Sequence, residues 1–183
     1  MGIKPKGQDK TLKIGSIYTV PTLNPMAVMT AQGYRPNRLI YDRLMRIDPT
    51  GKPTNWMAEK ITVSDGPNGP NTGIIIKIRQ DMKFHDGVPV TAEDVKFTFD
   101  FDKQYNATDL VQYLKRVTSV EQKDKYTVQV NLDSPWSAIS HVLFARMLII
   151  PKHIWEKVPE QTKNPLEWAN PNPIGSGPFK FGS

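Results

Sequence analysis

The most regular pattern of apolar and polar residues lies between residues 117 and 132. From residue 126 onward the two types alternate without a break, Tyr126, Val128, Val130 and Leu132 against Thr127, Gln129 and Asn131. Period-two alternation is typical of a strand that buries one face. The stretch 117–122 precedes this strand across three polar residues, 123–125. The sequence therefore predicts an antiparallel hairpin with the four apolar side chains turned inward.

Shorter alternating runs predict three more strands. Residues 11–17 alternate, and residues 60–64 and 73–78 do so on either side of the turn-forming segment 65–70. In the last of these strands Ile74, Ile76 and Ile78 share one face. Because the intervening segment holds two prolines and two glycines, we expect a loop there that is longer than a tight turn.

Apolar residues at three- and four-residue spacing predict helices elsewhere. One helix is expected from Tyr34 to Met45, with Pro36 early in it. Another is expected to begin at Thr91, a good N-cap residue that two acidic residues follow. A third is expected to begin at residues 134–135, and residues 147–150 form an apolar run that is typical of a core.

The chain ends in a glycine-rich turn, 175–177, followed by a predicted strand at 179–181. Strands and helices thus share the sequence, which predicts an α/β protein with α+β character. With 183 residues, of which 38% are hydrophobic, the chain can form one or two small domains. No run approaches the roughly 20 apolar residues of a membrane span. The absence of cysteine excludes disulfides and cysteine metal sites.

The charge leaves one binding alternative open. Lys and Arg number 24 against 18 Asp and Glu, so the formal net charge is +6. This would suit a basic nucleic-acid or anionic-surface binding domain, but the positive residues form no stripe. A solvated surface is therefore the favoured interpretation.

No residue pattern indicates catalysis, a metal or a cofactor. The histidines His85, His141 and His153 have no metal-binding spacing. His85 and Asp86 are adjacent in a predicted turn, where neighbouring side chains point apart. The glycine-rich turn 175–177 leads into a strand, whereas a phosphate loop leads into a helix. The sequence therefore predicts a binding protein that is not an enzyme.

Several segments together resemble the family 5 extracellular solute-binding proteins, the peptide- and nickel-type receptors of ABC importers. The most specific is the stretch Phe84-His85-Asp86-Gly87-Val88-Pro89-Val90-Thr91-Ala92-Glu93-Asp94-Val95. Others are Tyr41-Asp42-Arg43-Leu44, Ile150-Pro151-Lys152-His153 and Gly175-Ser176-Gly177-Pro178-Phe179-Lys180. One departure is the segment 67–70, where members of the family turn more tightly.

The resemblance implies a periplasmic binding protein type II-like fold of two lobes that close on a ligand. Because family members are more than twice this length, the chain would be an N-terminal fragment, an incomplete lobe one plus the family's extra subdomain. We expect residues 1–46 to begin lobe one, 47–168 to form the subdomain and 169–183 to return to lobe one.

The implied function is that of a substrate-binding component that captures peptides or similar small solutes for a membrane permease. The location would be periplasmic or extracellular, a cell-surface lipoprotein included, although the first residues lack the apolar region of a signal peptide. Self-association of the fragment is also expected, since the missing lobe would leave apolar surface open. No nucleic-acid partner is implied.

The resemblance also suggests which residues border the ligand. These are the segment after the first strand, the turn before the last strand, and an arginine suited to an anionic ligand group: Tyr18, Thr19, Val20, Pro21, Gly175, Ser176, Gly177 and Arg146. For Arg146, an ordinary ion pair at the surface is the alternative.

Overall fold

A computed structural model describes residues 19–28, 30–107 and 109–182 of the chain. The predicted strand 11–17 lies outside them. In chain order the helices and strands are α1 (Ala31–Ile40), β1 (Met45–Ile47), β2 (Pro53–Asn55), β3 (Ala58–Gly66), β4 (Gly69–Ile78), α2 (Ala92–Gln104), α3 (Val111–Leu114), β5 (Val117–Asp124), β6 (Thr127–Leu132), a π-helical turn (Ser140–Phe144), α4 (Lys152–Trp155), α5 (Val158–Gln161) and a 3-10 turn (Pro165–Glu167).

The main sheet is antiparallel and has the strand order β3-β4-β6-β5. The hairpin predicted between residues 117 and 132 is confirmed as β5–β6, with Val128, Val130 and Leu132 fully buried. β6 pairs with β4, where Ile76 lies opposite Val128. The predicted inner face of β4 is likewise buried. A separate two-stranded sheet joins β1 and β2.

The expectation of a long loop at 65–70 is wrong. β3 continues to Gly66 and β4 starts at Gly69, so that only two residues form the turn. Gly69 has a φ of 115°, a conformation open to glycine at little cost. Asn68 Nδ2 donates to the carbonyl of Leu132 at 2.7 Å, which fixes the turn against the end of β6.

Asn131 also departs from the expectation, because it is fully buried although it lies on the polar face of its strand. Its Nδ2 donates to Ser119 Oγ at 2.9 Å and to Glu121 Oε1 at 2.8 Å on the neighbouring strand. Its Oδ1 accepts from Gln129 Nε2 at 2.8 Å. The side chain is buried at low cost because its polar atoms are hydrogen-bonded.

Some helix boundaries agree with the prediction and others differ from it. α1 ends at Ile40, five residues earlier than expected, because the backbone becomes extended at Tyr41. Thr91 is the N-cap residue of α2, as predicted, and its backbone N–H and Oγ1 both donate to Asp94 Oδ2 at 2.9 and 3.0 Å. No helix starts at residues 134–135; a π-helical turn follows instead from Ser140.

The buried apolar residues form two clusters. The larger lies between the main sheet, α2 and the π-helical turn. The smaller joins α1 to the later helices and contains Tyr41, Phe101, Ile150 and Trp155. This smaller cluster contains residues from both sides of the domain boundary expected at residue 46. The boundary itself stays a prediction. Within the part of the chain that the structure describes, no helix has the length and apolar character needed to cross a bilayer.

The segment 169–182 contains no strand in its described residues. It is fixed to the end of α1, because the N–H of Gly177 donates to Ile40 O at 2.8 Å and that of Phe179 to Leu39 O at 3.0 Å. Pairing with the strand expected at 11–17 stays a prediction, since that strand lies outside the described residues.

Candidate ligand-binding site

The glycine-rich turn 175–177 packs directly on the C-terminal end of α1. A Cβ atom on Gly175 would lie 2.1 Å from Ile40 O, and one on Gly177 would lie 2.5 Å from Leu39 O. Both distances are far inside van der Waals contact, so only glycine allows this approach. Between them, Ser176 Oγ is buried and has no hydrogen-bond partner among the described residues.

His85 fixes the same turn from the other side. The N–H of Gly175 donates to His85 Nδ1 at 3.3 Å, and His85 Nε2 lies 2.9 Å from the carbonyl oxygen of Gly177. The first bond requires Nδ1 to accept, which assigns the ring proton to Nε2 and makes the second bond a donation. The backbone N–H of His85 also donates to Gly175 O at 2.8 Å.

His85 and Asp86 do not pair with each other, in agreement with the prediction that neighbouring side chains in this turn point apart. Asp86 turns away from its neighbour and lies 2.7 Å from His153 Nε2. Burial has the largest single effect and would raise the pKa of Asp86, but the hydrogen bonds with His153 and with the backbone N–H of Val88 act together against it, and the net pKa is lowered. His85 therefore has a structural role, and its contact with residues 175–177 could not be predicted from any local pattern.

An apolar groove lies beside the turn, along the exposed side of α1. It encloses about 630 Å³. Four half-exposed apolar side chains line it: Val20 (50% exposed), Leu39 (40%), Phe179 (54%) and Phe181 (44%). Val20 and the segment after Gly177 therefore border one surface. That Val20 and residues 175–177 contact a ligand stays a prediction. Thr19 and Pro21 are exposed beside them, and Tyr18 lies outside the described residues.

Arg146 lies apart from this groove in an ion pair. Its Nη2 is 2.7 Å from Asp109 Oδ1 and 2.5 Å from Asp109 Oδ2. The hydroxyl of Tyr34 donates to the same carboxylate. Tyr113 covers the guanidinium with its ring centroid 5.7 Å from Arg146 Cζ. Three separate segments of the chain thus meet at one carboxylate.

Electrostatics stabilises this ion pair. Burial and the hydrogen bond to Asp109 raise the pKa of Tyr34 well above its ordinary value. Burial by itself lowers the pKa of Arg146, but the charge of Asp109, together with the hydrogen bonds to Asp109 and Tyr34, outweighs burial and raises it. Both groups therefore keep their protons through the neutral range, and Asp109 remains the shared acceptor.

The predicted site residues consequently form two surfaces at different ends of α1. Tyr34 and Ile40 are six residues apart, which corresponds to about 9 Å along a helix. Arg146 lies near Tyr34, and residues 175–177 lie at Ile40. The sequence did not predict Asp109 and Tyr34 as neighbours of Arg146. Both lie far from Arg146 along the chain, and no periodic pattern links the three residues. Within the described ranges no group of three or more His, Asp or Glu side chains is arranged to hold a metal ion.

A twisted antiparallel sheet covered by helices, joined to a segment that packs on α1, is the architecture of one portion of a two-lobed solute-binding protein. The family model of bacterial extracellular solute-binding proteins, family 5, matches residues 52–183. The chain therefore belongs to this family, whose members are transport receptors rather than enzymes.

Individual relatives support this assignment. The chain is 31% identical over 183 residues to the probable peptide-binding protein YejA of Agrobacterium fabrum, covering 97% of this chain and 28% of that protein. It is 31% identical over 176 residues to the oligopeptide-binding protein AppA of Bacillus subtilis, covering 95% of this chain and 32% of AppA. The chain thus spans about 30% of the length of these relatives.

Solved structures show the same fold. AppA of Bacillus subtilis in complex with a nonapeptide matches with a TM-score of 0.75 and 30% identity, over 87% of this chain and 31% of AppA. NikZ of Campylobacter jejuni in complex with Ni(L-His) matches with a TM-score of 0.73 and 27% identity, over 91% of this chain and 31% of NikZ. The periplasmic binding protein type II-like fold expected from the sequence is confirmed.

Proposed function

We propose that this chain is the lobe-one portion of the substrate-binding component of an ABC importer, which captures peptides or similar small solutes for a membrane permease. The observation that carries the proposal is the match to AppA with its bound nonapeptide, in both sequence and fold, over most of this chain. The alternative of a basic nucleic-acid binding domain receives no support from the comparisons.

In this proposal the solute contacts the two surfaces at the ends of α1. The groove beside Gly175, Ser176 and Gly177 offers apolar side chains, Val20 among them. Thr19, Pro21 and Tyr18 extend the same border. Arg146 offers its guanidinium to the anionic group of a solute, while its Nη2 holds Asp109.

The test uses the product of the complete gene, because the lobes of such a receptor close on the solute together. Calorimetric titration with a mixed peptide library and with Ni(L-His) would measure binding of each class. We expect saturable binding of peptides. Failure of peptides to bind, with saturable binding of the nickel complex instead, would replace peptide by metal complex as the substrate class, and failure of both would refute the proposal.

A pair of variants tests the role of Arg146. Arg146→Gln should weaken solute binding about tenfold or more, since a hydrogen bond to a charged group is lost. Arg116→Gln is the matched control, because Arg116 also pairs with an aspartate, Asp133, and stacks on an aromatic ring. Equal affinity in the two variants would assign Arg146 to the surface ion pair alone.

The proposal places the complete protein in the periplasm or outside the cell, with the permease as its partner and without catalytic activity. It also includes self-association of the 183-residue chain through the apolar groove. Light scattering of this chain should show a dimer or larger species. Leu39→Glu, which charges the groove, should restore a monomer, whereas Val88→Glu, at a comparable exposed position elsewhere, should not.

A further inference from the structure

The core-facing side of the main sheet is covered unevenly. One row of side chains crosses all four strands on this face, each directly opposite the next: Val120, Val130, Ile74 and Val63. The first three are buried, whereas Val63, in the outer strand β3, is 58% exposed. At this row, the helices and turns that cover the sheet therefore stop short of β3.

A pocket of about 330 Å³ lies where this cover ends. Its walls come from β3, from β4 and from the segment 135–144. Most of the lining side chains are apolar, among them Ile61, Val63, Ile74, Trp136, Ile139 and Phe144. Ile74, Ile139 and Phe144 belong to the larger core cluster, so the pocket extends from the surface to the core.

Trp136, which lines the pocket, is held in place by its neighbours. Its ring stacks on Tyr113 with the centroids 6.1 Å apart and the planes inclined by 23°. Arg116 Cζ lies 4.7 Å from the Trp136 centroid, and Arg116 Nη2 donates to Ser134 Oγ at 2.8 Å. Because the indole is fixed before a ligand arrives, little side-chain entropy would be lost on binding.

The polar groups of the pocket are few and uncharged. They belong to Asn71, Ser137 and Ser140, and the described residues that line the pocket include no Asp, Glu, Lys, Arg or His. Ser140 begins the π-helical turn, in which the N–H of Ala145 donates to Ser140 O at 3.1 Å. An apolar wall with a few hydrogen-bonding groups is typical of small-molecule sites.

The size of the pocket restricts its occupant. An apolar cavity of about 150 Å³ holds benzene, so this pocket has room for a molecule roughly twice as large. A stable protein interface takes about 20–30 residues from each partner, far more than line this pocket. A small molecule therefore fits the pocket better than a second protein surface does.

We infer that this pocket binds a small uncharged molecule with an aromatic body and a hydrogen-bonding group, of the size of an indole. The ligand would complete the cover over Val63 and remove its apolar surface from water. The pocket shares no lining residue with the groove beside α1, so the inference does not depend on the proposed transport function.

The site can be tested by NMR on the product of the complete gene, labelled at the methyl groups of isoleucine and valine. With indole as the probe, we expect the methyl resonances of Val63 and Ile74 to shift saturably. Absence of a saturable shift would overturn the inference. A shift of the same resonances on dilution without indole would also overturn it, because a second copy of the protein would then cover the pocket.

The uncharged class is tested with indole-3-acetate, which adds a carboxylate to the same ring system. It should bind about tenfold more weakly or worse, because the carboxylate would lose water beside a wall without charged partners. Equal or tighter binding of indole-3-acetate would refute the assignment to uncharged ligands.

Three variants at exposed positions separate this pocket from other apolar surface. Val63→Glu places a charge in the pocket and should weaken indole binding about tenfold or more, measured at the Ile74 resonance. Val88→Glu, outside the pocket, and Leu39→Glu, in the groove beside α1, should each leave the affinity within a factor of about two. An unchanged affinity in Val63→Glu, or a comparable loss in either of the other two, would overturn the inference.

Discussion

Asp102 should make the stability of the protein fall as the pH rises. The residue belongs to α2 and is only 4% exposed. It borders a small cavity together with Met26, Leu110 and Leu148. Burial raises the pKa of its carboxyl from 3.8 to about 8. The folded protein therefore keeps this carboxyl protonated at neutral pH, whereas the unfolded chain releases the proton.

The sign and size follow from proton linkage. Between about pH 4 and pH 8 the folded state binds one more proton than the unfolded state, so the free energy of unfolding decreases with rising pH. The slope is about 1.4 kcal/mol per pH unit for one proton. Across the whole interval this gives at most about 6 kcal/mol, a large share of the stability of an ordinary domain.

Urea denaturation at several pH values between 5 and 8 would measure the effect. Asp102→Asn cannot ionise, so the difference in unfolding free energy between this variant and the wild type should grow steadily in favour of the variant as the pH rises. Asp100→Asn is the control, because Asp100 lies on the same helix, exposed and paired with Lys96.

The reasoning would be refuted by a difference between Asp102→Asn and wild type that does not change from pH 5 to pH 8. It would also be refuted if Asp100→Asn removed the pH dependence as completely as Asp102→Asn did. The first result would mean that the carboxyl of Asp102 is ionised in the folded protein, contrary to its burial, and the second would mean that the pH dependence does not come from Asp102 alone.

Three further substitutions, two of them with a control variant, test a close backbone approach, a helix cap and the register of the sheet. Gly175→Ala should destabilise the protein by about 1–3 kcal/mol, because the new methyl group would overlap a helix carbonyl. Gly182→Ala, which meets nothing within 4 Å, should be neutral in the same urea assay. Thr91→Ala should cost about 1 kcal/mol by thermal or urea unfolding, and no change would exclude a capping role. Leu132→Ala should cost about 2–5 kcal/mol, since the side chain is fully buried. Val63→Ala, at a position 58% exposed, should stay within about 0.5 kcal/mol, and similar losses in the two would contradict the observed register.

The sequence predicted those parts of the fold that local pattern decides. The alternation in β6 determined which side chains are buried, because a shift of one residue would expose the whole apolar set. Thr91 and the acidic residues after it located the start of α2, because the backbone N–H groups there need acceptors. Both signals lie within a few residues of the element that they define.

Other features depend on contacts that no local pattern encodes. Asn131 has the hydropathy of an exposed residue, and only the partners across the sheet make its burial tolerable. α1 was expected to continue past Ile40 because the following residues are apolar at helical spacing, yet they are buried as part of a loop and β1. Periodicity reports that a residue is buried and does not report which element buries it.

The candidate site likewise has some features that the sequence predicted and others that it did not. The family resemblance located Val20, Arg146 and the turn 175–177, and the structure shows Val20 and the segment after that turn on one groove. It did not reveal that Asp109 holds Arg146 or that His85 holds the turn. Such pairings join segments that are far apart in the chain. Asp, Arg and His are also common at exposed positions, so neither composition nor spacing indicates which of them form a contact.

The strand order β3-β4-β6-β5 also affects how the sheet assembles. Each outer strand pairs with its neighbour in sequence, so β3–β4 and β5–β6 each close a loop of two residues. The central pairing is different, because it brings Ile76 opposite Val128 with the whole of α2 and α3 between them. Loop closure costs more conformational entropy as the loop lengthens, and non-local pairing slows folding. We therefore expect the pairing of β4 with β6 to be the slow step in forming this sheet, with the two hairpins formed before it.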